Sequence, residues 1–205
     1  MTMPVRSPQT GHIAFDLELA DLPAGARWRE WMKRIEAVLF AAPHPVEHDV
    51  LARVVGRNAS VELLIDDICA DLRGRPYEVV RVAGGWQFRT LPAYSAAILT
   101  AQALPERKLE LTKSEMMVLV SVAYHQPATR ARISDILGHE VSRDLIGALR
   151  EKNMIGTGPR SPVPGAPYTY VTTKRFLEHF GLESLRDLPD IEALEDAGLM
   201  GTETT

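Results

Sequence analysis

The feature that most constrains the fold of this chain is one order of secondary-structure elements that occurs twice. In the first half, apolar residues at spacings of three and four predict a helix over 27–41, followed by a shorter helix over 46–55. Ser60 can cap a third helix, which is expected to bury Leu63, Leu64, Ile68 and Leu72. Two β-prone runs then flank a Gly-Gly pair at 84–85, which predicts a hairpin. Three helices followed by a hairpin are the layout of a winged helix.

The second half repeats this order, and hydroxyl side chains mark its helix starts. Residues suited to cap four successive helices stand at Thr112, Thr129, Ser142 and Thr173. Glu115 follows Thr112 by three positions, which is the capping-box pattern. The runs 155–157 and 168–172, joined by a loop rich in glycine and proline, predict a second hairpin.

The sequence therefore predicts a mainly α fold with small β-hairpins (α+β), built as two tandem winged-helix domains. A helix over 92–103 is expected to link them. The alternating run at 13–19 fits either a short strand or a disordered motif. The expected parts are a flexible N-terminal extension at 1–26, a first domain at 27–104, a second at 105–182 and an acidic C-terminal tail at 183–205.

The composition is that of an ordinary globular protein. Of the 205 residues, 45% are hydrophobic and 24% are charged. No apolar run approaches the roughly 20 residues that cross a bilayer, and no secretory-signal pattern opens the chain. The single cysteine, Cys69, excludes an intrachain disulfide, so we expect a cytoplasmic protein. A net charge of −4 disfavours binding of nucleic acid by bulk charge.

Candidates for catalysis or metal binding are weak throughout the sequence. His44 and His48 are four positions apart, but Pro45 lies between them and no third ligand accompanies them. Cys69 lies on an apolar helix face, which is typical of a buried structural thiol. The loop at 156–167 lacks the Gly-Lys-Ser/Thr ending of a phosphate-binding loop. We expect no enzymatic activity, no cofactor and no metal.

A family resemblance is carried by strings in the second half. They read AYHQPATR at 123–130, VSR at 141–143 and TTKRFLEHFGL at 172–182. These strings resemble the signature of segregation and condensation protein B (ScpB), in which AYxQPxTRxxI precedes a glycine and a VS pair. The first half agrees more loosely, and the resemblance spans about residues 35–189.

The resemblance implies a non-enzymatic subunit of the bacterial condensin-like complex, acting in chromosome condensation and segregation during cell division. It implies a homodimer held mainly through the first winged helix. It also implies binding to the kleisin ScpA, which bridges the heads of the SMC ATPase, and nucleoid association through that complex. On this basis, the residues expected to contact the partner are Tyr124, Gln126, Arg130, Arg143, Tyr168, Tyr170 and Phe176.

Three aromatic residues of the first helix, Trp28, Trp31 and Phe40, admit two interpretations. They could pack into the core of their own domain. They could instead form a dimer seam, because a small winged helix cannot cover so much apolar surface by itself. The sequence leaves both open.

The alternative function is that of a winged-helix DNA-binding transcriptional regulator, whose third helix would enter the major groove. In the second domain that helix carries Arg143, Arg150 and Lys152, but it also carries Asp144 and Glu151. These acids would face the phosphates, and the helix start lacks the Asn, Gln or Arg cluster that reads bases. We therefore expect a protein-contact face and no strong direct binding to DNA.

Overall fold

The computed structural model describes residues 15–101, 109–162 and 165–190, which form two winged-helix units in an α+β fold. The elements of the first unit are α1 (Ala24–Ala41), β1 (Val46–Glu47), α2 (His48–Leu51), a 3-10 turn (Ala52–Val54), α3 (Val61–Asp71), β2 (Tyr77–Val82) and β3 (Gly85–Thr90). A 3-10 turn (Pro92–Tyr94) and α4 (Ser95–Thr100) follow. The elements of the second unit are α5 (Lys113–His125), β4 (Ala128–Thr129), α6 (Arg130–Leu137), α7 (Arg143–Glu151), β5 (Ile155–Arg160), β6 (Tyr168–Thr172), α8 (Lys174–Phe180) and a 3-10 turn (Leu185–Asp187).

Each unit has one small sheet. The strand order is β1-β3-β2 in the first unit and β4-β6-β5 in the second, with antiparallel pairing throughout.

Each unit has its own hydrophobic core, which supports the prediction of two domains. The first core includes Trp31, Ile35, Leu39, Leu64, Ile68 and Trp86. The second includes Leu119, Val122, Ile133, Leu149, Met154 and Phe176. The expected boundary between residues 104 and 105 lies outside the described residues.

The predicted helix caps are confirmed. The Thr112 hydroxyl accepts a hydrogen bond from the Glu115 amide at 3.2 Å, and the Glu115 carboxylate accepts one from the Thr112 amide at 2.8 Å. Side-chain caps also form at Ser60, Thr129, Ser142 and Thr173. These side chains satisfy helix amides that have no partner within the helix.

The predicted helix over 46–55 is wrong in its first residues and in its continuity. Val46 and Glu47 form a short strand that pairs with Trp86 and Gly85. A four-residue helix and a 3-10 turn follow. The second domain has an equivalent strand at Ala128–Thr129, which pairs with β6. Both sheets therefore have three strands, where the sequence predicts hairpins alone.

The expected buried face of the third helix is wrong at Leu63, which is 58% exposed. Val61, Leu64, Ile65 and Ile68 are buried instead. Their spacing places them on one face of the helix, and Leu63 lies on the opposite side. The linking helix predicted over 92–103 is a 3-10 turn followed by α4, and its predicted residues 102–103 lie outside the described residues.

Residues 15–23 of the expected flexible extension are held against the first domain. The Trp31 indole donates to the carbonyl of Leu17 at 2.9 Å, and the Arg34 guanidinium donates to the carbonyl of Asp16 at 2.8 Å. The Glu18 carboxylate accepts from the Arg57 amide at 3.1 Å. Residues 15–19 form no strand, and residues 1–14 lie outside the described residues.

The start of the expected acidic tail also belongs to the second domain. Leu188 packs against its core, and the Tyr124 hydroxyl donates to the carbonyl of Pro189. The 3-10 turn at Leu185–Asp187 is capped by Ser184. Residues 191–205 lie outside the described residues.

A buried ion pair joins α5 to the end of α7. Glu115 is 4% exposed, and its carboxylate accepts a hydrogen bond from the Lys152 ammonium at 2.6 Å. The same ammonium donates to the carbonyl of Glu110 at 2.9 Å. The hydrogen bond from Lys152, followed by the one from the Thr112 amide, lowers the pKa of Glu115 below its ordinary value of 4.5.

We predict opposite effects of two glycine substitutions. A Cβ at Gly85 would lie 2.7 Å from the carbonyl oxygen of Val46, so Gly85→Ala must push the first strand away from β3. It should lower the free energy of unfolding by about 2 kcal/mol. Gly147→Ala on α7 meets no atom within 4 Å and should raise it by about 1 kcal/mol. Urea denaturation measures both, and a Gly85→Ala variant as stable as the parent would contradict the strand pairing.

We predict that Lys152→Met changes how stability depends on pH. Because the pKa of Glu115 is lowered in the folded state, ionised Glu115 contributes stability above about pH 4.5 that is lost as the pH falls through the folded value. Without Lys152, the buried carboxylate loses its main partner, so we expect about 1–3 kcal/mol less stability at pH 7. The acid-induced loss that comes from Glu115 should also become smaller, because its folded pKa then lies closer to its ordinary value of 4.5. The measurement is urea denaturation between pH 3 and 7. The control is Lys113→Met, at an exposed lysine on the first turn of α5, the helix that carries Glu115. Parallel curves for the two variants would contradict this role of the pair.

Candidate functional site

Two of the three aromatic residues of α1 serve their own domain. Trp31 is buried in the first core, where its indole donates to Leu17. Trp28 is half-buried, and its indole donates to the Asp67 carboxylate on α3 at 2.7 Å. The two rings meet edge to face, with centroids 6.4 Å apart. These contacts account for both tryptophans within one chain.

Phe40 differs, because it is 86% exposed on the last turn of α1. It borders a shallow groove between α1 and the hairpin, named here the Phe40 groove. Its other main lining residues are Lys33, Glu36, Ala37, Tyr77, Phe88 and Arg89. The Tyr77 and Phe88 rings meet edge to face, with centroids 5.9 Å apart. The sequence prediction missed Tyr77 and Phe88. Their rings are diagonal neighbours on β2 and β3, and this contact depends on the register of the hairpin.

Three residues predicted to contact a partner have contacts within the second domain. The Gln126 amide accepts from the Thr172 backbone at 2.8 Å and so ties the end of α5 to β6. The Arg130 guanidinium donates to the carbonyl of Val141 at 2.7 Å and also pairs with Glu140. Phe176 lies in the core, which removes it from the surface that a partner could reach.

Tyr124 and Tyr170 are half-buried and pack against the second core. Burial, and after it the charge of Asp190, raises the pKa of the Tyr124 hydroxyl, which donates to the carbonyl of Pro189. Tyr170 lies opposite Ala128 in the pairing of β4 with β6. Both side chains therefore have structural contacts and only part of their surface is accessible.

Tyr168 and Arg143 are the predicted partner residues that remain exposed. Tyr168 is 53% exposed near the wing tip, with the Arg160 guanidinium 4.3 Å from its ring centroid. Arg160 also donates to the Tyr168 hydroxyl at 2.9 Å, so the stacked pair is held in place. Arg143 is exposed on the first turn of α7. The sequence prediction missed Arg160, because a cross-strand stack depends on how the two wing strands pair.

The third helix of neither domain presents a positive surface. Helix α3 carries no lysine or arginine, and its acids are Glu62, Asp66, Asp67 and Asp71. In the second domain the Lys152 charge is paired with Glu115. Arg143 and Arg150 share α7 with Asp144 and Glu151, so its charges balance. Phosphate groups of a duplex would find little net attraction at either helix.

His44, His48 and Cys69 each have different neighbours. His44 lies 3.2 Å from the Glu178 carboxylate, and His48 contacts Asp49 and Glu62. Cys69 is half-buried, and burial, followed by the charge of Asp66, raises the pKa of its thiol. Within residues 15–101, 109–162 and 165–190, no three His, Cys, Asp or Glu side chains converge as metal ligands. None of the helices in these ranges has the length and apolar character needed to span a membrane.

The chain is similar to known proteins of one family. The family model "Segregation and condensation complex subunit ScpB" matches residues 33–191. Segregation and condensation protein B of Syntrophotalea carbinolica is 36% identical over 161 residues, which cover 77% of this chain and 80% of that protein. A segregation and condensation protein B homolog of Coxiella burnetii is 32% identical over 168 residues, 79% of each chain. The crystal structure of ScpB from Mycobacterium tuberculosis is 27% identical, covers 76% of this chain and 97% of its own, and gives a TM-score of 0.35.

The match by the family model covers most of the chain, including both third helices, both wings and the exposed Phe40 and Tyr168. The two relatives align over more than three quarters of this chain and of their own length. The protein therefore belongs to the ScpB family of segregation and condensation complex subunits.

Proposed function

We propose that this protein is a non-enzymatic, cytoplasmic subunit that binds the kleisin ScpA and, through it, the SMC ATPase. In this role it takes part in chromosome condensation and segregation and reaches the nucleoid through the complex. It acts as a homodimer joined by its first domain, and its second domain contacts the kleisin. It uses no cofactor or metal. The observation that carries the proposal is the family match, together with two exposed aromatic surfaces suited to protein partners.

The Phe40 groove supports the proposed homodimer. A phenylalanine that is 86% exposed gains free energy when a partner covers it, because apolar surface leaves water. The groove also carries Lys33 and Glu36, which have opposite charges. In a two-fold interface, both copies use the same surface patch. If one residue of the first copy contacts a second residue of the other copy, the symmetric contact forms as well. Lys33 of one copy can therefore pair with Glu36 of the other around a central apolar contact.

The Tyr168–Arg160 stack supports kleisin binding by the second domain. Interface energy is concentrated in a few aromatic and arginine anchors, and this pair supplies both on the paired strands β5 and β6. Its hydrogen bond orients the ring before a partner arrives, which reduces the ordering cost of binding.

The DNA-binding alternative has weaker support. A winged helix reads DNA with its third helix, and the acids of α3 would repel the duplex at that position. In α7 the mixture of charges suits a protein segment that carries both signs.

We predict that Phe40→Ser shifts the dimer towards monomer. Loss of the central apolar contact should weaken dimerisation by at least tenfold, which sedimentation velocity of the full chain at micromolar concentration would detect. Leu63→Ser is the matched control, because it removes a large exposed apolar side chain outside the groove. A Phe40→Ser protein that sediments like the parent would exclude this groove as the dimer seam.

We predict that Tyr168→Ala weakens binding to the kleisin of the same organism by at least fivefold, equivalent to about 1 kcal/mol. Isothermal titration calorimetry measures the affinity, and thermal unfolding checks that the fold persists. Tyr94→Ala removes a comparably exposed tyrosine from the first domain and should leave the affinity unchanged. Equal affinities for both variants would move the kleisin surface away from the wing.

A further inference from the structure

The wing of the first domain contacts the end of α8 in the second domain. The turn between β2 and β3 has positive φ at Ala83 (51°) and Gly84 (77°), as in the type I′ turns of tight hairpins. The Ala83 amide donates to the carbonyl of Leu182 at 2.9 Å. The Arg89 guanidinium on β3 donates to the carbonyl of Glu178 at 3.1 Å. A cation is favourable there, because carbonyls at the end of a helix lack partners within it and carry partial negative charge.

Opposite charges flank these backbone contacts. The Arg81 guanidinium on β2 lies 2.9 Å from the Glu183 carboxylate, and Lys174 of α8 pairs with Glu47 of β1. Each domain thus contributes one acid and one base to the two pairs. The charges of the two domains are therefore complementary at this contact.

These ion pairs are exposed, which makes the contact sensitive to salt. The Arg81 and Glu183 side chains are 53% and 45% exposed, and such pairs are individually weak. They act within one chain, however, where the covalent connection keeps the partners at an effective concentration of about millimolar. The Debye length falls from about 8 Å at 0.15 M salt to about 3 Å at 1 M, so added salt removes most of the attraction.

We propose that the two winged-helix domains close on each other through this contact between the first wing and α8, and that ionic strength sets the closed fraction. In the closed state the second domain contacts the first wing at Ala83, Arg81 and Arg89, so another molecule can bind these groups only after the domains separate. The proposal depends neither on the dimer nor on kleisin binding.

Energy transfer between dyes on the two domains tests this closure. Cysteines at exposed Arg53 and Asp135, in a Cys69→Ser background, take the dyes, and an excess of unlabelled chain suppresses transfer between copies. At 0.15 M salt, Arg81→Glu and Glu183→Arg should each lower the transfer efficiency towards its value in 1 M salt. The double variant, Arg81→Glu with Glu183→Arg, should restore it because the pair re-forms with reversed charges.

The control variant is Arg186→Glu, at an exposed arginine close in sequence to Glu183. It makes the same change in net charge as Arg81→Glu. It should leave the transfer efficiency unchanged. Three results would overturn the proposal: single reversals without effect, a double variant as open as the singles, or transfer lost on dilution into unlabelled chain, which would place the contact between copies.

Discussion

In each domain, a two-residue strand pairs with the central strand of the sheet, and this pairing stabilises that domain. In the first domain β1 pairs with β3, where Val46 lies opposite Trp86, and in the second β4 pairs with β6 in the same arrangement. These strands directly precede the second helix of their domain, so the pairing fixes the helix–turn–helix against its wing. The groove beside Phe40 and the stack at Tyr168 are both built on this frame.

Features that depend on neighbouring residues could be predicted from the sequence. The caps at Ser60, Thr129 and Ser142 are examples, because a hydroxyl reaches an amide only three positions away. The two short strands could not be predicted, because their partners lie about 40 residues along the chain and two residues carry no detectable alternation. The exposure of Leu63 follows from the helical spacing of the buried residues of α3, because Leu63 lies away from their common face.

The candidate surfaces could be predicted only in part, for the same reason. Sequence grouped Trp28, Trp31 and Phe40 by their spacing on one helix, but the structure gives the two tryptophans intrachain partners and leaves Phe40 exposed. Tyr168 is exposed, whereas the polar groups of Gln126 and Arg130 are satisfied within the domain. Residues that belong to a family's sequence signature can thus stabilise the fold as well as contact partners.

We propose that both winged helices contact protein and not DNA. The most direct test is fluorescence anisotropy of the labelled full chain, titrated in parallel with the kleisin of the same organism and with a mixed-sequence DNA duplex. Near physiological salt, we expect saturable kleisin binding at micromolar or lower concentration and no sub-micromolar binding to the duplex. Tight duplex binding that weakens steeply with added salt, without kleisin binding, would contradict the account.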